Sequence, residues 1–330
     1  MRICVIGAGA LGCTYGGRLA LAGVSVTLVD TWAEHVAAIA RDGLDLDGVP
    51  GGHRVPVAAV TDAGPLAPFD LAFVTVDTNH TADAAATAQT LLAPDGYAVT
   101  LQNGIGNVET LAGVLGAGRV VGGSSLCSAT TRGPGRVTQT HQGLTTVGEL
   151  SGGGSERVSR LKALLEGAGF DTRVAADIQA VIWQKFILNI AINPICAVTG
   201  LRLGELARLP ATAALQDRIL DEALAVVAAK GLTLPDPDIR ATVKQHCWSK
   251  FSKPSMLQHI ERGRPTEIDA LNGALVREAA ALGVPVPWNE ALTALVRGRE
   301  FAARRAVEEP GLDYDALEAA AGPVPCAPPA

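Results

Sequence analysis

The sequence predicts an α/β protein made of an N-terminal parallel-sheet domain over residues 1–175 and an all-helical C-terminal domain over residues 176–321, with a disordered tail over residues 322–330. Three observations carry that expectation. A strand, a glycine-rich turn, a helix and a second strand follow one another within the first thirty residues. Strand-like and helix-like segments then alternate to about Ala175, and beyond Ala176 only helical spacing remains. Such alternation is the mark of βαβ units around a parallel sheet with right-handed crossovers.

Arg2-Ile-Cys-Val-Ile6 is a short β-branched apolar run, the pattern of a strand buried on both faces. Gly7-Ala8-Gly9-Ala10-Leu11-Gly12 follows at once, and Leu11 to Ala22 reads as a helix with small residues at Gly16 and Gly17. Gly23 closes it, and Val24 to Val29 is a strand that ends at Asp30. The alternation resumes with a strand over Asp70–Val76, a helix through Ala82 to Leu92, and a strand over Tyr97–Leu101 that ends in Gln102-Asn103-Gly104. Arg119 to Leu126 continues the sheet, and Thr138 to Gly148, polar and turn-rich, reads as a hairpin at its edge. Ser151 to Ser155 is a surface turn ahead of a helix over Ser159–Gly169. Helical spacing then covers Ile178–Ile192, Ala211–Lys230, Asp238–Lys250, Glu267–Leu282 and Trp288–Ala303, and a proline-rich stretch marks the tail.

Composition narrows the function. With 330 residues, 48% hydrophobic and 18% charged, the chain has enough apolar matter for about two packed cores and too much for intrinsic disorder. A formal charge of −6 without a long basic run speaks against a nucleic-acid or membrane-surface partner. The six cysteines form no CxxC pair, so neither a zinc knuckle nor any other metal site is expected, and idle thiols in a reducing cytoplasm are. No apolar stretch is expected to reach spanning length; the nearest, Val181 to Val198, is interrupted by Gln184, Lys185, Asn189, Asn193 and Pro194. The first dozen residues lack the charged region and cleavage site of a signal sequence.

In Gly7-x-Gly9-x-x-Gly12 each glycine has a separate job: a tight turn, close approach of backbone to a pyrophosphate, and close helix–strand packing. The pyrophosphate then sits at a helix N-terminus, where free N–H groups and the macrodipole favour negative charge. The strand before and the acidic strand end after it are the context that makes the turn a Rossmann-type dinucleotide site, with Gly7, Ala8, Gly9, Ala10, Leu11, Gly12 and Asp30 against the cofactor. A carboxylate at Asp30 can accept both ribose hydroxyls of NAD and repels the 2′-phosphate of NADP, and Arg41 is the first cation after it. NAD(H) is therefore expected over NADP(H), which is not excluded; the competing role for Asp30 is a cap on the next helix.

A dinucleotide transfers hydride only, so reducing a carbonyl also needs a proton donor. Lys185, Asn189 and Asn193 are spaced i, i+4 and i+8 in an otherwise greasy helix, which predicts one polar stripe facing a wet cleft. Partial burial would bring Lys185 from its ordinary value to about 7–8, suited to proton donation. Gln102-Asn103-Gly104 sits at the carboxyl end of a strand, the side on which open α/β sheets bind ligands. Ser255 to Asn272 reads as a polar turn leading into a helix, within which Thr266 and Asp269 have the spacing of a helix cap.

The glycine turn, Leu101-Gln-Asn-Gly104, a WxKFxxNxxxNP helix from Trp183 to Pro194 and an SMxQxxxxGRxTEID run from Ser255 to Asp269 occur in that order over residues 1 to about 305. In these motifs the chain resembles the ketopantoate reductase family. The resemblance implies a Rossmann domain followed by a helical domain, with the active site in the cleft between them. It implies that Lys185 is the general acid toward a 2-oxo acid and that Glu267 bonds the substrate. It further implies that Asn103, Asn189, Asn193 and Ser255 bind the nicotinamide side, the carboxylate and a distal polar group.

Three departures mark this chain within that resemblance: Asp30 replaces a basic residue found in NADPH-using members, Asp77-Thr-Asn79-His80 lacks a lysine, and His259 stands where an acid is usual. The first points to NAD, and together they bring in a second reading, NAD-dependent oxidation of D-2-hydroxy acids. A reading of another class is a non-catalytic dinucleotide sensor, which would have no use for a general acid. His80 and His259 are left outside the expected catalytic set, and Asp269 is expected to orient its neighbours. The expected partner is a small 2-oxo or 2-hydroxy acid, with the apolar helices between Ala211 and Val296 available for a homodimer.

Overall fold

Ile3, Cys4 and Val5 have no solvent exposure, as a strand at the centre of a sheet requires. They belong to β1 (Arg2–Ile6) of a computed structural model that describes residues 1–49 and 51–321. The tail expected over 322–330 lies outside the described residues. From β1 the chain runs through α1 (Ala10–Leu21), β2 (Ser25–Val29), α2 (Ala33–Asp42), β3 (Leu44–Gly48), β4 (His53–Val55) and β5 (Ala58–Val60). It continues through β6 (Phe69–Val74), α3 (Thr81–Leu91), β7 (Leu92–Thr100), α4 (Asn107–Leu115) and β8 (Val120–Ser125). Next come β9 (Ser128–Gly133), β10 (Arg136–His141), β11 (Thr145–Glu149), α5 (Glu156–Gly167) and β12 (Thr172–Val174).

Beyond β12 every element among the described residues is a helix: α6 (Ile178–Ile190), α7 (Asn193–Thr199), α8 (Leu203–Arg208), α9 (Pro210–Ala229) and α10 (Ile239–Ser249). Then follow α11 (Ser255–Glu261), α12 (Asn272–Leu282), α13 (Pro287–Glu308) and α14 (Tyr314–Ala320).

The main sheet has eight strands in the order β12-β11-β8-β7-β6-β1-β2-β5, and only the β8–β11 pair is antiparallel. The chain winds outward from β1 in both directions, so the carboxyl ends of β1 and β6 flank the crevice where such sheets take their ligands. Core side chains fill both faces: Tyr15, Leu28, Phe73 and Phe170 on one, Ala84, Ala88, Leu111 and Ile178 on the other. The helices bury a third core around Phe186, Ile187, Ile190, Leu220, Leu275 and Val296. Each fully buried side chain of this size contributes about 1.5–3 kcal/mol.

A second sheet of four strands, β4-β3-β10-β9, lies over α1. The glycine pair in α1 makes that possible. A Cβ on Gly16 would fall 2.5 Å from Leu28 in the main sheet, and one on Gly17 would fall 2.8 Å from Leu44 in the small one. The helix is thus pressed between two sheets at a spacing that side chains would forbid.

Several sequence expectations need correcting. Thr138 to Gly148 is not an edge hairpin: β10 pairs with β3 and β9 in the small sheet, while β11 lies between β8 and β12 in the main one. Its polar residues misled because Thr145 is buried and satisfied by the Tyr15 hydroxyl at 2.5 Å, and because only alternate residues of β10 face α1. The helix expected from Glu267 begins at Asn272, and the helix expected to reach Ile192 stops at Ile190. Ser255 opens a short helix rather than a turn. The run Ile178–Thr199 is, by length and composition, apolar enough to cross a membrane, contrary to expectation; it is broken after Ile190 and packs largely buried in the helical core. The five described cysteines are free thiols, all buried except half-buried Cys127.

Candidate active site

The turn after β1 has the geometry its glycines predict. Gly7 has φ +95, and a Cβ there would lie 2.7 Å from Val76 N. A Cβ on Gly12 would lie 2.0 Å from the Gly7 carbonyl, so only glycine lets α1 start this close to β1. Around Gly9, by contrast, an added Cβ meets nothing within 4 Å. The first intrahelical bond of α1 runs from Cys13 N–H to Gly9 O, which leaves the N–H groups of Ala10, Leu11 and Gly12 without a helical acceptor. No acidic residue stands in that first turn to compete for them. Open space over Gly9, three free donors and the positive end of a helix fit a pyrophosphate.

Asp30 stands half-buried at the end of β2, where its Oδ1 accepts the Trp32 N–H at 2.9 Å. It does not cap α2, whose first turn has no side-chain cap. Oδ2 has no hydrogen-bond partner among the described residues, which fits a ribose hydroxyl. Arg41, the first cation downstream, is already paired with Asp42 at 2.6 Å.

On the helical side, Lys185 and Asn189 lie one turn apart on α6, but Asn193 does not continue their stripe. The chain turns at Ala191 and Ile192, and Asn193 opens α7. The cause is Pro194, which has no N–H to offer the Ile190 carbonyl. The side chain of Asn272 supplies the missing donor at 3.2 Å and also bonds Asn289 at 2.9 Å. The amide of Asn193, 6% exposed, has no partner among the described residues, and neither has that of half-buried Asn189.

Half-buried Lys185 has no acidic oxygen within 4.0 Å among the described residues. Burial pushes its ammonium down to about 8, against the opposing pull of Glu267 from the helical part and of Cys127 from the end of β8. The amine therefore lies within electrostatic reach of one group from the helical part and one from the sheet.

Glu267 joins these two parts. Its Oε2 lies 3.4 Å from the Asn103 amide and its Oε1 3.4 Å from the Thr78 hydroxyl, both on loops at the carboxyl end of the sheet. Asn107 fixes this arrangement by donating to the Asn103 carbonyl at 2.7 Å while accepting from Thr81 at 2.7 Å. Next to Asn103, Gly104 has φ +82, and a Cβ there would lie 2.7 Å from Ala270 O, so backbone meets backbone between the two parts. Thr78 and Asn107 were missed at the sequence level; Asn107, four residues after Asn103 at the start of a helix, was the readable signal.

The remaining expected residues are spread around the same region. Exposed Ser255 lines a small open depression with Met256, His259, Glu267 and Leu271. His259 Nδ1 is 3.0 Å from Pro265 O, and His80 ends the single turn Thr78–His80. Asp269 pairs with Arg297 at 2.5 Å rather than with a site residue. Thr266 accepts from Ile268 N–H and so closes the turn instead of capping a helix with Asp269.

A glycine turn shaped for a pyrophosphate, an acid at the end of the second strand and a half-buried amine at the cleft define an oxidoreductase of the Rossmann class. Residues 3–152 match the family described as ketopantoate reductase PanE/ApbA, and residues 177–300 match the ketopantoate reductase PanE/ApbA C-terminal family. The chain belongs to the ketopantoate reductase family, whose members are pyridine-nucleotide-dependent reductases. Among curated relatives it is 32% identical to the 2-dehydropantoate 2-reductase of Halobacterium salinarum, over 90% of this chain and 98% of the relative. The same enzyme of Pyrococcus horikoshii is also 32% identical, over 91% of this chain and 98% of the relative. Among solved structures, the PanE/ApbA family ketopantoate reductase from Ralstonia eutropha JMP134 superposes with a TM-score of 0.86 at 33% identity, covering 92% of this chain and 100% of the other. D-mandelate dehydrogenase with NADH and anilino(oxo)acetate superposes with a TM-score of 0.84 at 28% identity, covering 92% and 99%.

Proposed function

We propose that this protein reduces a 2-oxo acid, 2-dehydropantoate or a close branched analogue, to the (R)-2-hydroxy acid, with NADH preferred over NADPH. The observation that carries the reading is the meeting of Glu267 from the helical part with Asn103 and Thr78 at the carboxyl end of the sheet, within electrostatic reach of Lys185, whose ammonium burial pushes down to about 8. The catalytic residues are Lys185 and Glu267. Asn103, Asn189, Asn193 and Ser255 bind substrate. Gly7, Ala8, Gly9, Ala10, Leu11 and Gly12 hold the pyrophosphate, Asp30 the adenosine ribose, and Asn103 the nicotinamide side.

The bound nicotinamide supplies hydride to the carbonyl carbon; the chain does the rest. Lys185 donates its proton to the carbonyl oxygen, and its charge stabilises the alkoxide as it develops. Glu267, tied to Asn103 and Thr78, fixes the substrate against that amine and keeps the amine charged longer than burial alone would allow. The unpartnered amides of Asn189 and Asn193 offer donors for a substrate carboxylate at the break between α6 and α7. Residues 1–175 act as the dinucleotide-binding domain and 176–321 as the substrate domain.

A second reading, NAD-dependent oxidation of a D-2-hydroxy acid, is favoured by Asp30 and by the likeness to D-mandelate dehydrogenase. A steady-state panel of ketopantoate, 2-ketoisovalerate, 2-ketoisocaproate and benzoylformate with NADH and NADPH decides. Fastest turnover of ketopantoate with NADH supports the first reading, and fastest turnover of benzoylformate the second. Tight dinucleotide binding without turnover of any acid contradicts both and leaves a sensor.

A further inference from the structure

Trp32 is 40% exposed, two residues past Asp30, and its ring stacks on His35 with centroids 4.9 Å apart and planes 12° apart. His35 itself has no solvent exposure. Its Nδ1 accepts the Gly135 N–H at 3.0 Å, and its Nε2 lies 3.3 Å from Cys13 Sγ, which in turn donates to the Ala8 carbonyl at 3.0 Å. Since Nδ1 accepts, the proton sits on Nε2, as in a neutral imidazole, and burial holds His35 below the usual histidine range. Both ring nitrogens are thus fixed, one to the small sheet and one to the glycine turn. The indole rests on a buried ring anchored at both nitrogens.

Trp32 is also tied at its backbone, because its N–H donates to Asp30 Oδ1 at 2.9 Å while the other carboxylate oxygen has no partner among the described residues. A free carboxylate oxygen for a ribose and an aromatic surface for a base are therefore locked to each other. The buried residues of α2 are His35, Val36 and Ile39, and the indole covers the first of them while 40% of Trp32 stays open to solvent.

We propose that Trp32, braced by His35, is the stacking platform for the adenine of the dinucleotide, so that adenosine binding rests on Asp30 and Trp32 acting as one rigid unit. The proposal rests on the dinucleotide reading above and adds a residue to it. Stacking on an aromatic ring is indifferent to which nicotinamide is attached, so ADP-ribose, which lacks that half, is the probe; removing a base-stacking ring costs about tenfold in affinity.

In calorimetric and fluorescence titrations, Trp32→Ala should weaken ADP-ribose and NADH by the same factor, about tenfold, and leave reduced nicotinamide mononucleotide unchanged. Trp32→Phe should hold ADP-ribose close to the original affinity while abolishing most of the ADP-ribose-induced quench of tryptophan emission. The Trp32→Phe quench decides on its own should Trp32→Ala not fold. Unchanged ADP-ribose affinity in Trp32→Ala, or a quench that survives Trp32→Phe, overturns the platform while leaving dinucleotide binding intact. No binding of NADH or ADP-ribose to the unmutated protein overturns the dinucleotide reading and the platform with it.

Discussion

Glu267 Oε2 stands 3.4 Å from the side-chain amide of Asn103, so one carboxylate joins the turn before α12 to the loop that follows β7. The same carboxylate opposes the effect of burial on Lys185. Glu267→Gln keeps a hydrogen-bonding group of equal reach and removes the charge, so Lys185 should fall further below about 8. In a pH profile of kcat/KM for 2-oxo acid reduction, the descending limb of this variant should move to lower pH. A limb that stays or moves up contradicts the coupling.

The glycine turn separates folding from binding. A side chain at position 12 would start 2.0 Å from the Gly7 carbonyl, whereas one at position 9 meets no protein atom within 4 Å. Gly12→Ala should therefore lower the melting temperature and disturb the turn. Gly9→Ala should melt close to the parent and bind NADH at least tenfold more weakly, since its methyl occupies the space over the free N–H groups. Thermal melts beside NADH titrations read both.

In the proposed reaction Asp30 is the residue that selects NADH over NADPH. With one oxygen on the Trp32 N–H and the other free, its charge faces any 2′-phosphate without a compensating cation, since Arg41 is paired with Asp42. Asp30→Ser should lower kcat/KM with NADH and raise the NADPH-to-NADH ratio by about tenfold, the effect of removing a like-charge clash of about 1.4 kcal/mol. A ratio that does not rise removes Asp30 as the discriminator.

The break between α6 and α7 hangs on Asn272. It is fully buried and serves both the Ile190 carbonyl, left free by Pro194, and Asn289. Asn272→Leu strands both acceptors in the core and should cost about 1–3 kcal/mol. Denaturant melts measure it; an unchanged midpoint would mean the break is held by Pro194 alone.

Much of this architecture is legible without coordinates where one residue type has one physical use. Gly7, Gly9 and Gly12 signal a turn that larger residues cannot make, and the β-branched run before them signals a buried strand. Reading fails where polarity is satisfied at a distance. Thr145 looks like a surface residue until Tyr15 is seen to bond it. The i, i+4, i+8 spacing of Lys185, Asn189 and Asn193 looks like one stripe until the missing N–H of Pro194 is taken into account. The small sheet escaped notice because β3, β4 and β9 each have at least one exposed face. Thr78 and Asn107 are common polar residues, and only the fold brings them to Glu267 and Asn103.

In the proposed reaction Lys185 carries the transferred proton. A donor must be charged to act, so reduction should proceed at low pH and fail as pH rises through about 8; oxidation of the hydroxy acid, which needs the free amine, should rise over the same interval. The most direct test is the pH dependence of kcat/KM with NADH for the parent and for Lys185→Ala. The parent should show a descending limb near pH 8, and the variant a loss of about 10²-fold or more with no such limb. A variant that turns over at the parental rate, or keeps the same limb, contradicts this role for Lys185.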